Sequence, residues 1–317
     1  SKNIKTISTL FRRRVGMSGT PNTNSILDLW HPVSLIDEGA RLGSRYYSYR
    51  NQVCTPQFNG FANVWIDKPG IEETVADLLK DITIRHALED CIDLPDNIVR
   101  TVYTSLSPQV ARMYETLAEE SVLYTKQGTI NAVNAGARVK KLLQLISGGV
   151  YDENGLTQYF HQDRYDLVMD LVDARKHSLV AYNWKHERDA LVQLAEKRGY
   201  TYEVIDGSVP AHKRSDIVQR FQAGQIKVLF AHPQSAGHGL TLTKATTAIW
   251  CSPTYNAEHF QQFNRRIHRS GQTQKTETIL IAARDTWEEQ VYEKLNGKLN
   301  RMESLLTILT DLHKTAA

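Results

Sequence analysis

From about Asp166 onward, short apolar runs alternate with longer amphipathic stretches, the pattern of strands joined by crossover helices in a parallel sheet. The runs SLVAY (178–182), TYEVI (201–205), IKVLFA (226–231), TTAIW (246–250) and TETILIAA (276–283) predict strands. Between them, KHERDALVQLAEKRG (185–199), AHKRSDIVQRFQAG (211–224) and NAEHFQQFNRRIHR (256–269) carry apolar positions at helical spacing. The first two end at Gly199 and Gly224, where a left-handed cap residue belongs. The expected fold class is α/β, a parallel sheet flanked by helices.

The amino-terminal half is less regular. Residues 107–146 predict a helical insertion, started by Ser107 before Pro108. The aromatic, turn-rich segment 45–70 predicts an inserted loop or small hairpin, and DLPDNI (93–98) a linker. Thr286 and Glu289 form a capping box ahead of Trp287, Val291 and Leu295, which predicts a long final helix over 285–317.

Composition narrows the classes. The 317 residues are 41% hydrophobic and 23% charged, ordinary for a globular protein of two domains or of one with insertions. No apolar run reaches the roughly 18 residues of a membrane span, and the basic start lacks the apolar core of a secretory signal, so a cytoplasmic protein is expected. Cys54, Cys91 and Cys251 form no CxxC pair and no zinc spacing, so free thiols and no metal site are expected. A net charge of +3 is small for a dedicated nucleic-acid-binding domain, which leaves any such contact to local clusters.

One cluster is FQQFNRRIHRSGQT (260–273). On a helix from Tyr255, Phe260, Phe263 and Ile267 form a core stripe, while Gln262, Arg266 and Arg269 share the neighbouring face. Two guanidiniums one turn apart can reach one point, as the charge on a transferred phosphoryl group requires. The alternative is a solvated basic face. A second stretch, SAGHGLTLT (235–243), has Gly237 and Gly239 to let the backbone approach a ligand at the carboxyl ends of the strands. Its Ser235, Thr241 and Thr243 add hydroxyls suited to phosphates. The alternative there is a structural turn.

Taken in order, these stretches resemble the second RecA-like domain of superfamily II helicases, in the Swi/Snf-like branch of DNA translocases. SAGHGLTLT is similar to motif V; QQFNRRIHRSGQ is similar to motif VI, written Q-x-x-x-R-x-x-R-x-G-Q; SLVAYNWKHERDAL is similar to motif IV; and MSGTPNTNSILDLWHPVSLID (17–37) is similar to motif III. The wording HPQSAGHGL is closest to phage or bacterial members. The resemblance implies a RecA-like parallel sheet with a helical insertion and a remnant of a first RecA-like lobe over 1–95, and the second lobe over 96–284.

It further implies that Arg266 and Arg269 are arginine fingers and that Gln262, Gly237, Gly239 and Gln272 face ATP. Ser18, Gly19, Thr20 and Pro21 would couple the lobes. Asn183, Trp184, Lys185, Ser235, Thr241 and Thr243 would meet the DNA backbone.

Two family features are missing from the sequence. It holds no G-x-x-x-x-G-K-[ST] phosphate loop and no D-E-x-H box before motif III; IDEGA (36–40) follows SGTP, in the wrong order. The expectation is therefore a carboxyl-terminal motor lobe whose partners are the DNA backbone and a missing N-terminal RecA-like lobe, with no membrane. ATP and Mg²⁺ would serve the parent enzyme, the Mg²⁺ ligands being absent from this chain, which alone would not hydrolyse ATP. The competing reading is a non-catalytic DNA-binding or adaptor module with the same fold.

Overall fold

The computed structural model describes residues 2–58, 62–86, 91–125, 128–132, 134–152, 154–236 and 239–316. The chain divides into two units, one of residues 1–91 with 296–317 and one of residues 92–295.

The first unit holds helices α1 (Lys2–Ser8), α2 (Trp30–Asp37), α3 (Tyr46–Val53) and α4 (Ile71–Leu79) and an antiparallel hairpin, β1 (Cys54–Phe58) with β2 (Asn63–Asp67). The turn-rich segment is thus a hairpin preceded by a helix. Asp67 anchors it: its carboxylate accepts from Ser25 Oγ at 2.6 Å and from the Ile26 amide at 3.1 Å. Ile26, Val33, Tyr49, Val75 and Leu79 form the core of this unit with Leu305 and Leu309. The SGTP segment, Ser18–Pro21, belongs here as an extended turn in which the Thr20 amide donates to Ser18 Oγ at 3.1 Å.

The second unit is built on a parallel sheet ordered β3-β12-β11-β8-β10-β9. Its strands are β3 (Asn97–Thr104), β8 (Ser178–Ala181), β9 (Tyr202–Ile205), β10 (Val228–Ala231), β11 (Thr247–Trp250) and β12 (Thr276–Ala283). All residues of β8, β10 and β11 are buried, as expected of strands covered on both faces, and this is why they read as unbroken apolar runs. Strand β3 begins inside the segment read as a linker and pairs with β12 over its whole length. As an edge strand it exposes Ile98, Val99 and Tyr103, so it lacks the apolar continuity of the central strands.

Helices α7 (Asp163–Asp173), α8 (Lys185–Lys197), α9 (Ala211–Gln222) and the short α10 (Pro233–Ala236) fill the crossovers. Gly199 and Gly224 follow α8 and α9 with φ of 67° and 77°, the left-handed closures expected.

The insertion differs from the helical expectation. It is two helices, α5 (Pro108–Glu120) and α6 (Ala135–Ser147), separated by a hairpin of β4 (Val122–Thr125) and β5 (Gly128–Asn131). The break is at Ser121, which takes a left-handed φ of 60° while its amide closes on Leu117 O. A second hairpin, β6 (Gly149–Tyr151) with β7 (Thr157–Tyr159), follows α6.

The last helix runs Trp287–Ala316. Its cap is shifted from the expected box: Glu289 Oε2 accepts from the Asp285 amide at 2.7 Å, and Thr286 Oγ accepts from Glu288 N at 3.3 Å. No described helix is long and apolar enough to cross a membrane.

Candidate functional site

Because the sheet is parallel, loops leaving its strands gather at one edge and loops entering them at the other. Asn183–Lys185, Ser235 and Ser252–Pro253 leave β8, β10 and β11. Thr243–Thr246 and Gly271–Gln274 enter β11 and β12. The described residues of SAGHGLTLT, 235–236 and 239–243, therefore fall at both edges instead of wholly at the carboxyl ends, because residues 239–246 lead back to the start of the next parallel strand.

The arginine segment is shorter in helix than its periodicity predicts. Helix α11 runs Ala257–Asn264, capped by Asn256, whose side chain accepts from the His259 amide. In a continued helix Arg266 N would donate to Gln262 O; here it donates to Phe263 O at 3.0 Å, and Arg266 Nε takes Gln262 O at 2.8 Å. Asn264 Oδ1 meanwhile accepts Trp250 Nε1 at 2.9 Å. Residues past Asn264 are turns, yet Phe260, Phe263 and Ile267 stay buried, with Trp250 4.9 and 5.0 Å from the two phenyl rings.

The turn brings the two arginines together. Arg266 Nη1 and Arg269 Nη1 donate to the same oxygen, Leu240 O, at 3.2 and 2.9 Å. Both side chains are half-buried. Burial, and then the positive charge of Arg269, lower the proton affinity of Arg266. Gln262 donates to Glu258 Oε1 at 2.8 Å, and its own Oε1 is buried and accepts no hydrogen bond among the described residues.

Gln272 ties the two segments together. Its Nε2 donates to Thr243 O, Ala245 O and Ile267 O at 3.0 to 3.2 Å, and its Oε1 accepts from Thr273 N and Gln274 N at 3.0 Å. Thr243 Oγ accepts from Gln222 Nε2 at 3.1 Å, and Thr241 is half-buried. Gly239 is exposed with φ of 69°, while Gly237 lies outside the described residues.

At the opposite edge, Asn183 Nδ2 donates to Ser252 O, Ser252 Oγ and Pro253 O at 3.0 to 3.1 Å, so its amide fixes the turn after β11. Trp184 is half-buried and stacks on the buried His186 with an interplanar angle of 6°. Lys185 is exposed, and Ser235 O accepts Arg214 Nη1 at 3.4 Å.

Known proteins share this architecture. Residues 163–271 match the family described as helicase conserved C-terminal domain. The chain is 29% identical over 314 residues to putative protein p41 of Acyrthosiphon pisum secondary endosymbiont phage 1, covering 93% of this chain and 64% of p41. It is 23% identical over 306 residues to the chromodomain-helicase-DNA-binding protein 1-like of Danio rerio, covering 92% of this chain and 29% of that protein. Among solved structures, the C-terminal part of the Fun30 ATPase domain superposes with a TM-score of 0.50 at 15% identity, covering 70% of this chain and 99% of that one.

Over residues 163–271 the chain resembles the helicase C-terminal domain, and over most of its length it resembles Swi/Snf-related helicases. It spans less than two thirds of the length of these two relatives.

Under the carboxyl edge of the parallel sheet lies a buried ionic cluster that pattern reading missed. Arg164, 2% exposed, donates to Cys251 O at 2.7 Å and to Glu288 Oε2 at 2.6 Å, and Glu288 Oε2 also accepts the Ala283 amide at 2.8 Å. Burial works against the Arg164 charge, but Glu288 outweighs it and raises its proton affinity. Glu187 Oε2 accepts from Asn183 N and Trp184 N at 2.8 and 3.1 Å, fixing the start of α8. Burial pushes the Glu187 carboxyl up to about 7, against these amides, Ser252 and the Arg164 charge. The one local signal was a Glu three residues past a strand-end turn, the third helical position that reaches back to a cap. Leu240 O carried no signal, since any residue supplies a carbonyl.

Proposed function

We propose that the chain is the C-terminal motor lobe of an ATP-dependent DNA helicase or translocase, in which Arg266 and Arg269 act on ATP held by an N-terminal RecA-like lobe. The observation that carries this reading is the meeting of both guanidiniums at Leu240 O. A backbone carbonyl bears only a partial charge, so a phosphate oxygen arriving there competes well for two permanent cations with planar donor forks. ATP supplies the phosphoryl group that passes to water, and its Mg²⁺ would be held by carboxylates of the N-terminal lobe. Arg266 and Arg269 stabilise the charge that gathers on the phosphoryl oxygens. Gln272 positions them by fixing Ile267 O between the two arginines to the segment that enters β11.

DNA as the track is supported by the name of the Danio rerio relative, which joins helicase to DNA binding. Exposed Lys185 and the turns at the carboxyl edge suit a phosphate backbone, a contact that weakens steeply with salt. Asn183 contributes by holding the turn in shape.

The test is DNA-stimulated ATP hydrolysis by a form of the protein that includes an N-terminal lobe. Arg266→Ala should lower turnover by about 10³-fold or more while DNA binding persists. Near-normal turnover in the variant would remove the arginine-finger role. An intact two-lobe form that binds DNA without hydrolysing ATP would favour an adaptor.

A further inference from the structure

The amino-terminal edge of the sheet carries a cleft of about 610 Å³ whose lining includes Arg175, Lys176, His177, Gln222, Lys244 and Gln274. Among the described residues, no carboxylate lines it. Arg175 is offset from behind by Glu277, at 2.5 Å, but Lys176 and Lys244 are exposed and enter no ion pair among the described residues. The cleft is therefore cationic in a chain whose net charge is only +3.

Lys244 is also placed in advance. Gln222 accepts the Lys244 amide at 3.0 Å while donating to Thr243 Oγ, which fixes the backbone. The Lys244 stem crosses Gly224, where an added Cβ would lie 3.0 Å from Lys244 Cε and 3.5 Å from both Lys244 Nζ and His177 Nε2. A glycine at this point, required already by its φ of 77°, leaves the room that lets ammonium and imidazole approach each other. His177 Nδ1 lies 2.8 Å from Ile226 O, and since a carbonyl only accepts, Nδ1 carries a proton and Nε2 is the atom left for the cleft.

We propose that this cleft binds a small phosphate-bearing anion, either inorganic phosphate or the phosphate chain of a nucleotide. Its volume falls in the range of small-molecule sites, roughly 300 to 1,000 Å³. Lys244 and Lys176 supply charge-assisted donors, and Gln274 lies on the loop that Gln272 fastens to the arginine segment. A bound anion would brace the loop entering β12 against the loop entering β11.

The test is titration calorimetry of this chain at fixed salt with pyrophosphate, inorganic phosphate and ATP as probes. Pyrophosphate should bind saturably, and Lys244→Gln should weaken it about tenfold or more, with Lys176→Gln weakening it further. Thermal unfolding checks that these exposed substitutions leave the fold intact. Tighter binding of ATP would mark the site as nucleotide-facing, and equal or tighter binding of inorganic phosphate as a free-phosphate site; either supports the proposal. No saturable binding overturns it, as does binding that survives Lys244→Gln but is lost in Arg266→Ala, which would place the anion at the arginines. Displacement of pyrophosphate by a short DNA duplex at lower concentration than by any small anion would assign the cleft to nucleic acid and overturn it as well.

Discussion

Replacing Gln272 by alanine removes an amide that is 6% exposed and bonded to five backbone groups. The Thr273 and Gln274 amides sit on exposed residues and can turn to water, so their loss costs little. Ala245 and Ile267 are buried, and leaving their carbonyls unpaired costs about 1 to 3 kcal/mol each. With partial relaxation, a total near 3 kcal/mol follows, on the order of the net worth of several intramolecular hydrogen bonds. The second unit spans Ile92–Leu295. For a domain of that size each kcal/mol shifts Tm by about 2 to 4 °C, so the melting transition should fall by roughly 6 to 12 °C. Differential scanning calorimetry of the chain reads this directly. Gln272→Glu separates the donors from the acceptor: it keeps the bonds from Thr273 and Gln274 but sets a carboxylate against three carbonyl oxygens. That variant should regain stability as pH falls and the new carboxyl is protonated, because its proton is held more tightly in the folded state. A Tm change under about 2 °C for Gln272→Ala would show that the two segments hold together without the amide.

Glu187→Gln should flatten the pH dependence of stability. With a folded value near 7 against an ordinary value of 4.5, the carboxyl's contribution is complete below 4.5 and lost as pH rises through 7, on the order of 3 kcal/mol; urea midpoints at pH 5 and pH 8 that differ equally in both proteins would refute the assignment. Arg164→Met, which leaves Glu288 buried beside the Ala283 amide without its cation, should destabilise by about 3 to 5 kcal/mol. Adding Glu288→Leu to it should recover much of the loss, and chemical denaturation that finds the two changes strictly additive would rule out a coupled pair.

The sheet was legible where its strands are buried on both faces, because nothing but an apolar run suits such a position. Strand β3 was not, since an edge strand that exposes Ile98, Val99 and Tyr103 shares its alternation with ordinary surface segments. The insertion was read as helix because Ser121 reverses the chain through a left-handed φ that its residue type does not announce. In the arginine segment the identities pointed to the right neighbours through the wrong local geometry: spacing argued for a continuous helix, whereas Arg266 Nε replaces its own backbone amide on Gln262 O and turns the chain. Contacts that pass between a side chain and a distant carbonyl, such as those of Gln272 and Asn183, depend on tertiary placement and leave no periodic trace.

The resting place of the two guanidiniums is a main-chain oxygen, and that has an evolutionary consequence. The carbonyl at position 240 is supplied by any residue that keeps the backbone path, so the seat itself leaves no mark on the residue type there. Remodelling of this seat would be visible only through substitutions that bend the chain, such as proline at 240 or loss of the left-handed turn at Gly239. In lineages where the arginines drift apart, the first change to look for is in the length of the loop between β10 and β11.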